Sequence, residues 1–144
     1  MKPYLLDTNV LIALAWPNHV HHAEATAWFL RKAASGFRTC PITQTGFVRL
    51  SSNPSFAVNA VTPAEALALL DRITNMPGHG FWPDDLPAME AFGGAPLLAT
   101  HRQVTDRYLL ALAAAHDGVL ATLDRGIAGL VRDCPERLEL VTAH

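Results

Sequence analysis

The chain has 144 residues, half of them apolar and 17% charged, with a formal net charge of −2. Such a length and balance fit a single globular domain over residues 1–144 and exclude a disordered or fibrous chain. No apolar run approaches the roughly 20 residues of a membrane span, Asp7 interrupts any secretory leader pattern, and the charge excludes a strongly basic nucleic-acid binder.

A cytoplasmic address is the simplest expectation. Cys40 and Cys134 lie far apart and outside any metal-ligand spacing, so both read as reduced structural residues. All basic residues except Lys2 and Lys32 are Arg. That bias reflects either the planar fork that suits phosphate oxygens or the base composition of the source genome.

In chain order, Tyr4 to Leu6 reads as a first strand and Thr8 to Ala15 as a short helix. Pro17-Asn18 marks a turn. His21 to Ala34 follows as an amphipathic helix with Ala23, Ala27, Leu30 and Ala34 on one face, ended by Ser35-Gly36. Arg38 to Ile42 reads as a second strand and Thr43 to Ser51 as a helix broken by Asn53-Pro54. Thr62-Pro63-Ala64-Glu65 carries the cap, first-position proline and returning glutamate of a helix start that runs to about Ile73.

A third strand is expected around Phe81-Trp82. Thr105-Asp106 is expected to cap the longest apolar helical run, which continues to about His116 and is closed by Gly118. Val119 to Leu123 reads as a strand ending in Asp124; Arg125-Gly126, a short helical turn and a last strand near Leu138 to Val141 complete the chain. Strands alternating with helices imply an α/β fold, three-layered, with a mostly parallel sheet covered on both faces.

Two strands therefore end in carboxylates, Asp7 and Asp124, and Asp106 stands at a helix start. If the strands are parallel neighbours, the three acids share one sheet edge, where open α/β folds bind ligands. Carboxylates brought within about 4–6 Å raise one another's pKa. A divalent cation relieves that repulsion, and an all-oxygen set suits Mg²⁺ or Mn²⁺. The plainer alternative stays open on spacing alone. Asp7 then caps a helix, Asp106 favours a helix dipole and Asp124 opens a turn.

Four segments, LLDTNVLIAL (5–14), TCPITQTGFVRL (39–50), VTDRYLLALA (104–113) and GVLATLDRG (118–126), together resemble the PIN-domain ribonucleases, specifically VapC-type toxins of toxin–antitoxin pairs. NHVHHAEATAW (18–28) and GHGFWPDD (78–85) are similar to one subgroup of them. The resemblance implies a small α/β/α fold with an acidic crevice and Mg²⁺- or Mn²⁺-dependent endonucleolytic cleavage of a structured RNA such as tRNA or rRNA. Asp7, Asp106 and Asp124 match the family's acidic ligands, whereas its further Glu falls at Gln44, which keeps an oxygen and loses the charge. The implied mechanism is in-line attack by a metal-activated water, with Asp7 and Asp106 holding the ion and Asp124 completing the shell or helping to deprotonate the nucleophile.

Asn9 and Thr122 are candidates to orient the carboxylates, and Thr8 reads as a plain helix cap. Arg49 and then Arg102 are the best candidates for contacting the RNA backbone, ahead of Arg107 and Arg125. His19, His21 and His22 have neither a zinc spacing nor a finger pattern, so turn and cap roles are expected. Trp16, Trp28, Trp82 and the Phe residues read as core or interface rather than stacking platforms. Leu109, Leu112 and Ala113 read as core, with neighbouring alanines leaving room for close packing against another helix, as in a homodimer.

The resemblance also implies a small VapB-type antitoxin covering the crevice, with promoter binding left to that antitoxin, since this chain carries no DNA-binding motif. An aspartate-nucleophile phosphatase fits poorly, because Asn9 stands where its second Asp belongs. A phosphoacceptor receiver domain lacks its Lys. The alternative that remains is a PIN-like RNA- or protein-binding module with weakened catalysis.

Overall fold

A computed structural model describes residues 2–57, 59–93, 100–131 and 134–142. Strands β1 (Tyr4–Leu6), β2 (Phe37–Thr39), β3 (His79–Phe81), β4 (Val119–Thr122) and β5 (Leu138–Leu140) form one sheet in the order β3-β2-β1-β4-β5. All four pairings are parallel. From β1 the chain builds outward to β2 and β3, then returns to lay β4 and β5 on β1's other side. The strand order therefore reverses between β1 and β4, the position at which open α/β sheets form their binding crevice outside the carboxyl ends of the strands.

Helix α1 (Thr8–Ala15) and α2 (His22–Trp28), the latter prolonged by a π-helical turn over Phe29–Ala33, cover one face with α3 (Pro41–Ser51) and α4 (Pro63–Thr74). The short α5 (Ala88–Phe92) and α6 (Val104–Ala115) lie on the other side. Alternation along β1 and β4 separates the two cores. Leu6 and Ala121 pack with Val10, Leu11, Trp28 and Phe37. Leu5 and Leu120 pack with Leu109, Leu112 and Trp82. Every one of these except Trp82 is fully buried, and a fully buried Leu contributes about 1.5–3 kcal/mol. The expected α/β/α sandwich is the observed one.

Several boundaries differ from the sequence reading. The inner face of α2 and its π turn is Ala25, Trp28, Phe29 and Ala33, while Ala23 and Ala27 are exposed and Leu30 is 70% exposed. The aromatic pair decides the face, because burying two rings removes far more apolar area from water than burying alanines. The π turn, marked by the Ala34 N–H bonding to the Phe29 carbonyl at 2.9 Å, brings Phe29 and Ala33 to the same side.

Strand β2 starts and ends earlier than expected. Pro41 is the first residue of α3, and the Cys40 N–H donates to Thr43 Oγ1 at 3.0 Å, so the helix begins two residues before Thr43. Thr105-Asp106 does not cap α6. The chain enters through a 3₁₀ turn, His101–Gln103, with Thr100 and Gln103 forming the capping box, and Asp106 lies inside α6's first turn. Gly118 at the α6–β4 turn meets a close approach: a Cβ there would collide with the Trp82 ring and lie 2.9 Å from the Pro3 carbonyl.

Candidate active site

Asp7 follows β1 directly and takes the N-cap position of α1, its Oδ1 accepting the Thr8 N–H at 2.8 Å. Thr8 is therefore the first helical residue and not the cap. Asp7 is buried, and its other oxygen accepts the Thr122 hydroxyl at 2.7 Å. Burial raises its pKa; the Thr122 and Thr8 hydrogen bonds oppose that rise, and the Asp124 charge adds to it.

Thr122 ends β4 and organises the crevice floor. Besides donating to Asp7, its oxygen accepts from Asn9 Nδ2 at 3.2 Å and from the Asp124 N–H at 3.1 Å. Asn9 closes the ring by accepting the Leu123 N–H at 3.2 Å. The loop after β4 is thereby tied to the first turn of α1. Asp124 itself is exposed, and its Oδ1 accepts the Gly126 N–H at 2.8 Å.

Asp106, half-buried in the first turn of α6, has its pKa pushed up to about 6 by burial, then by Asp7, then by Asp124. Three carboxylates from β1, α6 and β4 thus share one electrostatic environment. No salt bridge joins any of them to a basic side chain among the described residues. Among those residues no three His, Cys, Asp or Glu side chains stand close enough together to hold a metal ion between them. The all-oxygen donor set and its uncompensated repulsion fit a hard divalent cation.

Gln44 is placed differently from the three acids. Its Nε2 donates to Thr39 Oγ1 at 2.9 Å, Thr39 Oγ1 meets His79 Nε2 at 2.7 Å, and the side chain lines a groove against Leu67 and Asp71 of α4. The α3 residue against the start of α1 is Gly46, where a Cβ would lie 2.8 Å from Thr8 Oγ1. Sequence reasoning missed Gly46, although a glycine inside a predicted helix is itself a signal of close packing. Arg49 is exposed in the last turn of α3, and Arg102 is exposed in the 3₁₀ turn before α6.

The histidine-rich turn has the local role expected of it. His19 Nδ1 accepts the His21 N–H at 3.0 Å, His21 faces Glu24 at 3.2 Å, and His22 Nδ1 lies 2.8 Å from the Ala13 carbonyl oxygen. Both cysteines are free thiols, Cys40 buried and Cys134 partly so. Among the described residues, no helix is long and apolar enough to cross a membrane.

Comparison with known proteins gives this geometry a family. Residues 4–132 match the model of the PIN domain. Ribonuclease VapC39 of Mycobacterium tuberculosis is 50% identical over 125 residues, which cover 86% of this chain and 90% of that protein. Ribonuclease VapC38 of the same species is 41% identical, covering 96% of this chain and 97% of its own. Among solved structures, VapBC2 from Rickettsia felis bound to a promoter DNA fragment superposes with a TM-score of 0.62 at 12% identity, covering 96% of this chain and 98% of that one. At that identity the likeness shows the fold, while the close relatives and the family model carry the assignment: the chain belongs to the PIN-domain family and groups with its VapC ribonucleases.

Proposed function

We propose that this protein is the toxin of a type II toxin–antitoxin pair, an endoribonuclease that depends on Mg²⁺ or Mn²⁺ and cuts structured RNA of the tRNA or rRNA kind. The single observation that carries the reading is the crevice at the β1–β4 reversal. There Asp7 and Asp106 each have a raised pKa, from burial first and in part from neighbouring carboxylate charge, and no salt bridge among the described residues reaches Asp7, Asp106 or Asp124.

Asp7 and Asp106 are the proposed ion ligands, with Asp124 beside them. A divalent ion bound there supplies polarisation of a phosphoryl oxygen and activation of water. The protein's own part is positional. Thr122 holds one Asp7 oxygen, and the Thr8 N–H holds the other, so the carboxylate is presented in one orientation without searching rotamers. Asn9 keeps Thr122 oriented and fixes the Leu123–Asp124 backbone. Exposed Asp124 is proposed to complete the shell or to help deprotonate the attacking water, with solvent at hand to take the proton on. Arg49 and Arg102 are proposed contacts to RNA phosphates.

The partner proposed for the crevice is a VapB-type antitoxin, a reading supported by the fold shared with VapBC2. Function within a homodimer is proposed alongside it, since α6 continues past its buried face into exposed Ala114 and Ala115. A binding module with lapsed catalysis has less support, because the chain retains Asp7, Asp106 and Asp124.

The test is cleavage of total cellular RNA by purified, antitoxin-free protein with Mg²⁺ or Mn²⁺. EDTA should stop it, and Asp7→Asn should abolish both cleavage and growth arrest. Cleavage that survives EDTA and Asp7→Asn alike would overturn the reading.

A further inference from the structure

At the far end of α1 from Asp7, a cavity of about 220 Å³ opens between the turn after α1 and the loop after α3. We infer that this cavity is a nucleobase site, taking one unpaired base of the RNA whose backbone is cut at the carboxylate crevice. The inference rests on the ribonuclease reading above and assigns to it a substrate-selecting pocket.

The lining carries the chemistry that recognises bases. Phe56 lines the cavity from the loop after α3 and is 53% exposed, so its ring face is open to a ligand. Trp16 packs against the core, as its sequence reading expected, and forms the back wall of the cavity, its indole pinned by donation from Nε1 to Ser51 Oγ at 3.1 Å. Exposed Phe56 departs from that reading. His19 adds a third ring; burial, then His21 and His22, hold its pKa below the usual value, so a neutral imidazole is favoured. Unpaired bases are held in proteins by stacking on such rings and by hydrogen bonds to their edges.

The hydrogen-bonding partners are Asn18 and Asn59, which also line the cavity. Each amide offers donors and an acceptor, the combination that matches a base edge. Both are exposed. The cavity is smaller than the 300–1,000 Å³ typical of drug-sized ligands and suits a single planar ring system.

The backbone on either side of Phe56 is hydrogen-bonded into turns. The Ser55 N–H donates to Asn53 Oδ1 at 2.9 Å, the Phe56 and Ala57 N–H groups donate to the Asn53 carbonyl, and the Val61 N–H donates to the Ser51 carbonyl. A preformed platform binds without the cost of ordering it.

Position links the cavity to the chemistry. The eight residues of α1 span about 12 Å, the length of three to four stacked nucleotides at about 3.4 Å each. Helix α3 runs from the carboxyl end of β2 to Ser51 beside Trp16, with Thr45 and Arg49 exposed along it at an i, i+4 spacing. A strand leaving the crevice along α3 therefore meets a guanidinium for its phosphate before its base reaches Phe56.

The decisive experiment measures binding of a short stem–loop RNA in EDTA, with an abasic residue moved through its loop. Wild type is compared with Phe56→Ala and Asn59→Ala, all checked for an unchanged melting transition. One abasic position should weaken wild-type binding about tenfold, as expected for loss of a single stacked base. Phe56→Ala should lose a similar factor on intact RNA and be insensitive to that same abasic position, and Asn59→Ala should show partial insensitivity there.

If Phe56→Ala and Asn59→Ala bind intact RNA as wild type does, or if the abasic losses are the same in every variant, the inference is wrong. Wild-type cleavage with Mn²⁺, measured in parallel, separates the two failures. Cleavage that persists without the coupling overturns the base site alone. Wild type that neither binds nor cleaves any RNA overturns the ribonuclease reading and the base site together.

Discussion

Asp106→Asn should make the metal-free protein more stable at neutral pH while destroying its activity. In the folded chain the Asp106 carboxyl titrates at about 6 rather than its ordinary 3.8, because burial and the neighbouring Asp7 and Asp124 disfavour its charge. That gap corresponds to about 3 kcal/mol of destabilisation when the group is ionised. Asp106 is only half-buried, so solvent screening reduces the figure to about 1–1.5 kcal/mol.

The sign follows from proton binding. A group whose folded-state pKa is raised binds more protons in the native state than in the unfolded one, so its contribution improves as pH falls. The advantage of Asp106→Asn should be complete at pH 7, shrink as pH drops through about 6, and vanish near pH 4. For a chain of this size the neutral-pH gain is a rise of about 2–5 °C in melting temperature. Urea unfolding in EDTA at pH 7 and pH 4.5 measures it. Saturating Mg²⁺ or Mn²⁺ should reverse the order, since a ligand that binds only the folded state stabilises it. An Asp106→Asn variant that is equally or less stable than wild type at pH 7, with a pH-independent difference, would refute the reasoning.

Thr122→Val should lower cleavage by about 10- to 100-fold, the range for losing an orienting partner of a metal ligand, whereas Thr122→Ser should retain most activity. Side-by-side turnover assays decide this, and an active Thr122→Val would show that Asp7 needs no orienting hydroxyl. Gly46→Ala should cost about 1 kcal/mol, an overpacking penalty against Thr8 partly offset by better helix propensity, and Thr8→Ala should rescue it. Chemical denaturation of the single and double variants checks the coupling; strict additivity would place the strain elsewhere. Thr62→Ala should cost about 1 kcal/mol with no change in cleavage, because it removes only the cap of α4.

Local chemistry carried much of this protein's fold in the sequence. A short apolar run before Asp7, the Thr62-Pro63-Glu65 helix start and the Val119–Thr122 run are legible because caps and periodicities act over a few residues. The face of α2 was not legible that way. Ala23, Ala27 and Leu30 form a plausible stripe, and only the presence of β1 and β2 beneath Trp28 and Phe29 decides which side is inside.

The site divides along the same line. Residue type and placement, two strand ends and a helix start, marked Asp7, Asp124 and Asp106 as candidate ligands of a divalent ion, and family likeness supplied the RNA-cleaving chemistry. What tertiary structure decided is that β4 lies beside β1, so that residues more than a hundred positions apart meet at one edge and Thr122 reaches Asp7 at 2.7 Å. It also turned Gln44 toward Thr39 and set Gly46 against Thr8. Strand order and helix rotation are set by burying both faces of the whole sheet at once, a condition that no short window of sequence contains.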